Sequence, residues 1–173
     1  MLFRSGSDVY AISVGINSAP FRISVEDDDS LINQIHFDSD IPDTEKSQLI
    51  LARRGQGLFR RRLELIESGC RLTGVSDRAH LVASHIKSWR DSTNRERLDG
   101  HNGLLLAPHA DHLFDRGFIS FEDNGKLLAS PQLAMNILEA WGIPPETTCG
   151  TFSKKQCVYL KQHRTRFGFE SPQ

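Results

Sequence analysis

The segment from Ser84 to Asp115 constrains this chain more than any other, because several chemistry-bearing side chains fall in a stretch with almost no regular repeat. It contains His85, Asn102 and the two carboxylates Asp111 and Asp115. The aspartates are four positions apart, so a helix over this stretch would place both on one face. The segment therefore predicts a site in which two carboxylates share a cation close to a histidine.

Short apolar runs between turn residues predict an α+β chain. Asn124-Gly125 favours a tight turn between two strands, at 118–121 and 126–129. Further strands are expected at 9–14, 21–25, 70–74 and 80–83, and a helical turn at 85–89 should precede a polar loop at 90–100.

Helix boundaries are marked by proline, glycine and capping residues. Helical spacing after Asp43 predicts two helices broken at Gly55 and Gly57, with acidic residues in the first turn. A helix should begin at Pro108, which suits the first turn, and end at Gly117. Two more helices are expected, one at 133–141 and one after a cap at Ser153.

The chain divides by pattern near residue 43. Residues 1–43 form a leader whose role is open: part of an upstream domain, a dimerisation hairpin or a regulatory arm. Residues 44–173 form the predicted functional domain, with a motif core at 70–130.

Composition excludes several classes of protein. No apolar run approaches the ~18 residues that a membrane span needs, and the start lacks a signal-peptide pattern, so a cytoplasmic location is expected. The three cysteines form no Cys-x-x-Cys pair, which argues against both a disulfide framework and a cysteine zinc site. Three buried or half-buried thiols are the expectation.

The overall charge of −1 hides an asymmetry. Residues 1–46 carry three basic and nine acidic side chains, a net charge of −6, which leaves +5 for residues 47–173. A basic body fits a polyanionic ligand, and an ordinary solvated surface explains the same numbers. Five arginines lie on the first two predicted helices: Arg53, Arg54, Arg60, Arg61 and Arg62. They too could follow the phosphates of a nucleic acid or form an ordinary solvated helix face.

The residue types of the Ser84–Asp115 segment suit hydrolysis of a phosphodiester. His85 can take a proton from water near neutral pH. Asp111 and Asp115 offer hard oxygen ligands that suit Mg²⁺ or Mn²⁺, and Asn102 would orient a loop, orient the histidine or ligate the metal. Structural roles compete with this reading: a hydrogen-bonding histidine, an Asn-Gly turn, and acids that favour a helix N-terminus.

Four ordered motifs resemble the HNH endonuclease family. They are C-x-x-T-G at 70–74, A-x-H-I-x-x-W at 83–89, R-L-D-x-x-N-G-L-L-L at 97–106 and D-x-L-F-D-R-G-x-I-S-F at 111–121. The resemblance extends over roughly residues 50–167. It implies a ββα-metal nuclease core with flanking helices and a C-terminal β-hairpin plus helices.

By this resemblance His85 is the general base, Asn102 the structural asparagine, and Asp111 and Asp115 the metal ligands in place of histidines found in relatives. The carboxylates shift the metal preference from Zn²⁺ or Ni²⁺ toward Mg²⁺ or Mn²⁺. Ser84 departs from the pattern, since relatives often carry an acidic or histidine ligand there, so water or a main-chain carbonyl must complete the coordination.

The resemblance implies a DNA endonuclease, with duplex DNA favoured over RNA and restriction or phage defence as the context. The alternatives are a DNA-binding module that lost turnover and a metal-stabilised protein-interaction domain. The oligomeric state is left open. Side chains expected to contact nucleic acid are Arg60, Arg61, Lys87, His112 and Arg116.

Overall fold

Helices surround two separate antiparallel strand pairs in this computed structural model, which describes residues 32–53 and 57–169. No helix in these two ranges is long and apolar enough to cross a membrane. The predicted α+β class is confirmed. The helices are α1 (residues 32–37), α2 (Asp43–Arg53), α3 (Gly57–Leu63), α4 (Asn94–Arg97), α5 (Pro108–Asp115), α6 (Met135–Ala140) and α7 (Lys154–Phe167). The strands are β1 (Val82–His85), β2 (Gly103–Leu106), β3 (Ile119–Phe121) and β4 (Leu127–Ala129).

The strands β1 and β2 pair antiparallel, with His85 opposite Gly103 and Val82 opposite Leu106. Every residue of β2 is buried, so the strand is covered on both faces. At Gly103 a Cβ atom would lie 2.8 Å from the Phe59 ring, so α3 packs directly on the strand backbone here. Helix α5 packs against both strands and completes a ββα unit.

Local signals place α5 and the β3–β4 hairpin where they were predicted. Pro108 occupies the first turn of α5, and Gly117 follows the helix with φ of 68°. Phe114 and Leu113 turn inward from α5, at 0% and 2% exposure, and join the core. The Asn124-Gly125 turn joins β3 to β4 as expected. These positions fix α5 beside the end of β1.

The prediction of a strand at 70–74 is wrong. Cys70 and Gly74 instead close a tight turn, in which the Cys70 amide donates to the Val75 carbonyl at 2.8 Å and the Gly74 amide to the Cys70 carbonyl at 2.8 Å. The strand expected at 80–83 begins two residues later, because Arg78–His80 forms a 3-10 turn capped by Asp77. As a result β1 pairs with β2 rather than with 70–74. Cys70 is buried and the other two cysteines are half-buried, all three as free thiols as expected.

The segment expected as a loop at 90–100 contains α4, which is a second correction. Thr93 caps this helix and forms a reciprocal capping box with Glu96. The preceding helical turn covers Trp89–Asp91, at the end of the predicted stretch. A third 3-10 turn, Gly100–Asn102, leads into β2.

Residues 32–43 are more ordered than their sequence pattern indicates. Residues 32–37 are helical, and Ile35 is 5% exposed within the core. The strands expected at 9–14 and 21–25, together with Arg54 and Gly55, lie outside the described residues. The proposed division near residue 43 therefore stays a prediction.

Helix α7 closes the fold through a buried histidine. Ser153 caps this helix in a capping box with Gln156, as the sequence predicts for the cap. His163 is 3% exposed, with Nδ1 3.0 Å from the Ser120 hydroxyl and Nε2 3.0 Å from the Phe114 carbonyl. Because the carbonyl can only accept, Nε2 carries the proton and Nδ1 accepts from Ser120.

We expect His163 to make stability depend on pH. Burial lowers the pKa of His163 to about 4 from its ordinary 6.5, with Arg166 and Arg164 acting in the same direction and the Phe114 carbonyl opposing them. The unfolded chain then binds the proton more readily, so the free energy of unfolding should fall by about 3 kcal/mol as pH drops from 6.5 to 4. Urea unfolding at several pH values, compared with H163Q, measures this. An equal stability difference between the two proteins at pH 7 and pH 4.5 would contradict it.

Candidate active site

The end of β1 meets α5 at the two predicted carboxylates. Ser84, 5% exposed on β1, is hydrogen-bonded to the half-buried Asp111 carboxylate. Burial raises the pKa of Asp111, the Ser84 hydrogen bond lowers it in part, and the negative charge of exposed Asp115 raises it again. The two carboxylates therefore feel each other's charge, an arrangement that a cation would relieve.

The His85 ring is held in one orientation by three neighbours. Its Nε2 lies 3.0 Å from the Arg97 carbonyl oxygen. The ring stacks on Phe59 at 3.8 Å between centroids, with an interplanar angle of 9°, and meets Trp89 edge-on at 5.5 Å. Because a carbonyl oxygen only accepts, the neutral ring carries its proton on Nε2, which leaves the basic lone pair on Nδ1.

His85 and Ser84 are consecutive strand residues and point to opposite faces, Ser84 toward Asp111 and His85 toward Phe59. A cavity of about 40 Å³ is lined by His85 and Asp115, together with His163 and Arg166. The structure thus joins Ser84 to Asp111 through a hydrogen bond and places His85 and Asp115 along one cavity. That the histidine and both carboxylates form one site stays a prediction.

A larger cleft of about 300 Å³ adjoins this cavity and shares Ile86, Ser88, His163 and Arg166 with it. Asp91 and Arg166 form an ion pair across the cleft, between the segment after β1 and the end of α7. Both side chains remain partly exposed, at 58% and 45%, and exposed ion pairs of this kind are weak. Arg166 is therefore held only weakly by Asp91 and stays open to solvent.

Asn102 lies at the centre of the connection between the strands and is fully buried. Its Oδ1 accepts from the Lys87 amide at 2.8 Å, and its Nδ2 donates to the Ser92 hydroxyl at 3.3 Å and to the Glu96 carbonyl at 3.2 Å. Of the three roles expected for it, this geometry matches the orientation of a loop. The connection that Asn102 orients includes Arg97, the last residue of α4, whose carbonyl holds the His85 ring.

Several of the side chains expected to contact nucleic acid have partners within the protein. Lys87 pairs with Glu96 at 2.8 Å, and Arg60 pairs with Glu64 at 2.9 Å while donating to two main-chain carbonyls. Arg116 Nε lies 4.0 Å from Asp115 Oδ2.

Arg61 and His112 are exposed, and the His112 ring neighbours Phe118 and Trp141, with centroids 6.3 and 6.2 Å away. No observation tests whether these residues contact nucleic acid, so those assignments stay predictions.

The donor set suits a hard cation with few protein ligands. Within residues 32–53 and 57–169, no group of three or more His, Cys, Asp or Glu side chains is close enough together to hold a metal ion. Asp111 and Asp115 supply two carboxylates, one of them half-buried beside a hydroxyl. Mg²⁺ commonly binds through one or two carboxylates plus water and substrate phosphate, so the residues fit such an ion.

Sequence reasoning missed the residues that support the histidine. Phe59 and the Arg97 carbonyl lie far from His85 in sequence or contribute only backbone, so no local motif marks them. The helix that carries Arg97 was readable, since Thr93 and Glu96 have the spacing of a capping box. Arg166 lies on α7, outside the four motifs, so no motif marks it either.

The middle of the chain is similar to a known protein family. A family model described as HNH endonuclease matches residues 70–122, the stretch from the Cys70 turn through β1, α4, β2 and α5 to the end of β3. No curated protein matches the chain significantly. The matched stretch contains all four residues predicted for catalysis and metal binding.

Proposed function

We propose that this chain, whose residues 70–122 match the model of the HNH endonuclease family, hydrolyses phosphodiester bonds of DNA with a divalent metal ion. Endonucleases of this family act on nucleic acids, and duplex DNA is the proposed substrate. The observation that carries the proposal is the fixed orientation of the His85 ring at a residue that lines one cavity with Asp115.

His85 is the proposed general base. With Nε2 donating to the Arg97 carbonyl at 3.0 Å, Nδ1 is the atom that accepts a proton from the attacking water. The water oxygen then forms a bond to phosphorus as the bond to the leaving oxygen breaks, and solvent returns a proton to that oxygen. The Arg97 carbonyl also stabilises the imidazolium that results, because it accepts a hydrogen bond from a ring that has become charged.

Asp111 and Asp115 are the proposed ligands of Mg²⁺ or Mn²⁺. When bound, the ion supplies Lewis-acid stabilisation of the phosphoryl oxygens and of the leaving group. Ser84 orients the Asp111 carboxylate through their hydrogen bond, and burial of that carboxylate keeps bulk water from competing for it. Arg166, which lines the same cavity, is the proposed contact for a phosphate of the strand.

Cleavage should require both the metal and its ligands. We expect the full chain to nick supercoiled plasmid in Mg²⁺ or Mn²⁺, to stop in EDTA and to resume when the metal is restored. The double variant D111N/D115N should lose at least a hundredfold in rate, because neutral amides hold a hard cation poorly. Gel analysis of nicked and linear products gives the rates.

The matched control is D38N/D40N, which neutralises two exposed aspartates outside the site. It should cut at the wild-type rate. Cleavage that persists in EDTA, or an equally active D111N/D115N variant, would overturn the proposed metal site. A wild-type protein that cuts no plasmid with any divalent metal would overturn the nuclease assignment itself.

The second candidate function is an HNH-fold DNA-binding module without turnover. It is favoured by Ser84, which replaces a ligand found in relatives, and by the two-carboxylate donor set among the described residues. Retained gel shift of a DNA duplex without cleavage in any metal would support it. The restriction or phage-defence context and the cytoplasmic location stay predictions.

A further inference from the structure

A second cleft, of about 580 Å³, lies between α3, α4 and the start of α7. It shares no lining residue with the two cavities beside His85. Its volume is within the range of ligand-binding clefts, about 300–1,000 Å³. We call it the α3–α7 cleft; its lining residues are Arg62, Leu65, Ile66, Arg95, Asp99, Gly100, His101 and Lys155.

The α3–α7 cleft is positively charged. Arg62, Arg95 and Lys155 are exposed cations on three different helices or their ends. Asp99 is the one acidic residue in the lining, and its carboxylate accepts from the Tyr159 hydroxyl at 3.0 Å and from the His101 amide at 2.9 Å. Three cations against one carboxylate leave the lining with a net positive charge.

The walls of the cleft are held by the fold. Arg62 donates to the Leu98 carbonyl at 2.8 Å, which uses one of its five N–H donors. A Cβ atom on Gly100 would lie 2.6 Å from the Arg62 carbonyl carbon, so the two backbones are in direct contact. This close approach fixes the end of α3, which carries Arg62, against the turn that follows α4.

Apolar surface accompanies the charge. Leu65 is 87% exposed and lines the cleft beside half-buried Ile66. A small inorganic anion makes no apolar contacts with such a surface. A nucleotide chain has phosphates that bind the cations and sugars that pack on the apolar side chains. The open, elongated form of the ligand also suits cations spread over three elements of the fold.

We propose that the α3–α7 cleft binds the backbone of duplex DNA, at a site separate from the His85 cavity. The proposal rests on the proposed function, since it assigns the place where the same substrate is held. Arg62, Arg95 and Lys155 contact phosphates there, and Leu65 contacts sugar. Because none of these residues lines the His85 cavity, they contribute affinity and leave the hydrolytic step unchanged.

The test is the salt dependence of binding to a DNA duplex, measured by fluorescence anisotropy with the full chain in EDTA so that no cleavage occurs. Each phosphate contact contributes about 0.9 to the slope of log K against log salt. R95A/K155A should therefore bind more weakly, with a slope reduced by about 1.8. The matched control K126A/K161A removes two exposed lysines that line none of the three cavities described, and should keep the wild-type slope.

A charge reversal guards against a folding artefact. K155E places a carboxylate in the first turn of α7, where acids favour a helix, so the fold should be retained while DNA binding falls further. Equal slopes for R95A/K155A and the control would overturn the proposal. Displacement of the duplex by inorganic phosphate, beyond that caused by chloride at the same ionic strength, would also overturn it in favour of a small-anion site.

The outcomes separate this proposal from the nuclease assignment. If the wild-type chain binds the duplex through Arg95 and Lys155 but cuts nothing, the proposal for the cleft stands and the nuclease assignment is wrong. If R95A/K155A cuts DNA with full activity and an unchanged KM, the nuclease assignment stands and the proposal for the cleft is wrong. Tighter binding of an RNA duplex than of the DNA duplex, lost in the same variant, overturns the choice of DNA.

Discussion

Replacement of His85 by glutamine is expected to lower the rate constant for plasmid cleavage by about 10²–10⁴-fold. The glutamine amide can still donate to the Arg97 carbonyl, 3.0 Å from His85 Nε2, but it has no basic lone pair to accept a proton from water. Much of the orienting contact is therefore kept while the chemistry is removed. Single-turnover cleavage with saturating protein measures the chemical step apart from DNA binding.

Two further measurements distinguish a base from a structural residue. The affinity for the duplex in EDTA should be unchanged in H85Q, and H80Q, at an exposed histidine before β1, should cut at the wild-type rate. The melting temperature controls for loss of the stacking on Phe59, whose ring lies 3.8 Å away. An H85Q protein that folds and cuts at the wild-type rate would exclude His85 as the general base.

Asn102→Ala is expected to lower both stability and activity. The substitution leaves the Lys87 amide, the Ser92 hydroxyl and the Glu96 carbonyl without their shared partner at a position that is 0% exposed. The Lys87 amide is left unpaired, which costs about 1–3 kcal/mol, while the Ser92 hydroxyl still donates to the Ser88 carbonyl and the Glu96 carbonyl still accepts from the Asp99 amide. Together with the cavity left by the lost side chain, a loss of about 3 kcal/mol is expected. The melting temperature should fall by roughly 10 °C.

The activity of N102A should fall more than its folded fraction does. Glu96 precedes Arg97, so loss of the bond at the Glu96 carbonyl frees the turn whose next carbonyl orients His85. Cleavage rates well below the melting temperature, beside far-ultraviolet circular dichroism, separate the two effects. N136A, at an exposed asparagine of α6, is the matched control. A stable N102A with full activity would show that the buried amide is dispensable.

Local signals in the sequence were sufficient wherever one or two residues determine the backbone. Pro108, the Asn124-Gly125 turn and Ser153 each specify a boundary through their own stereochemistry or hydrogen bonds, and the elements begin or turn at those positions. The same logic missed α4, although the Thr93–Glu96 capping box was visible in the sequence. Its four residues are too few for a hydrophobic period to emerge.

The error at 70–74 has a non-local cause. Cys70, Leu72 and Thr73 suit a strand by composition, yet the segment folds back on itself. Glu67 accepts from Arg71 Nε at 2.6 Å and from Gln156 Nε2 at 2.7 Å, and so connects the segment to α7. In the candidate site the polar residues came from motif resemblance. Phe59 and the Arg97 carbonyl required the folded arrangement, because stacking partners and backbone acceptors leave no spacing to detect.

The shortness of α4 has a mechanical consequence. Arg95 faces the α3–α7 cleft, and Arg97, two residues later on the same helical turn, presents its carbonyl to the imidazole. Because α4 is a single turn of four residues, a shift of its backbone at Arg95 would also move the backbone at Arg97. The same short helix therefore carries the Arg95 side chain of the cleft and the backbone carbonyl that holds the His85 ring. A change of the Arg95 side chain leaves that backbone in place, whereas loss of the Thr93–Glu96 capping box would disturb both functions at once.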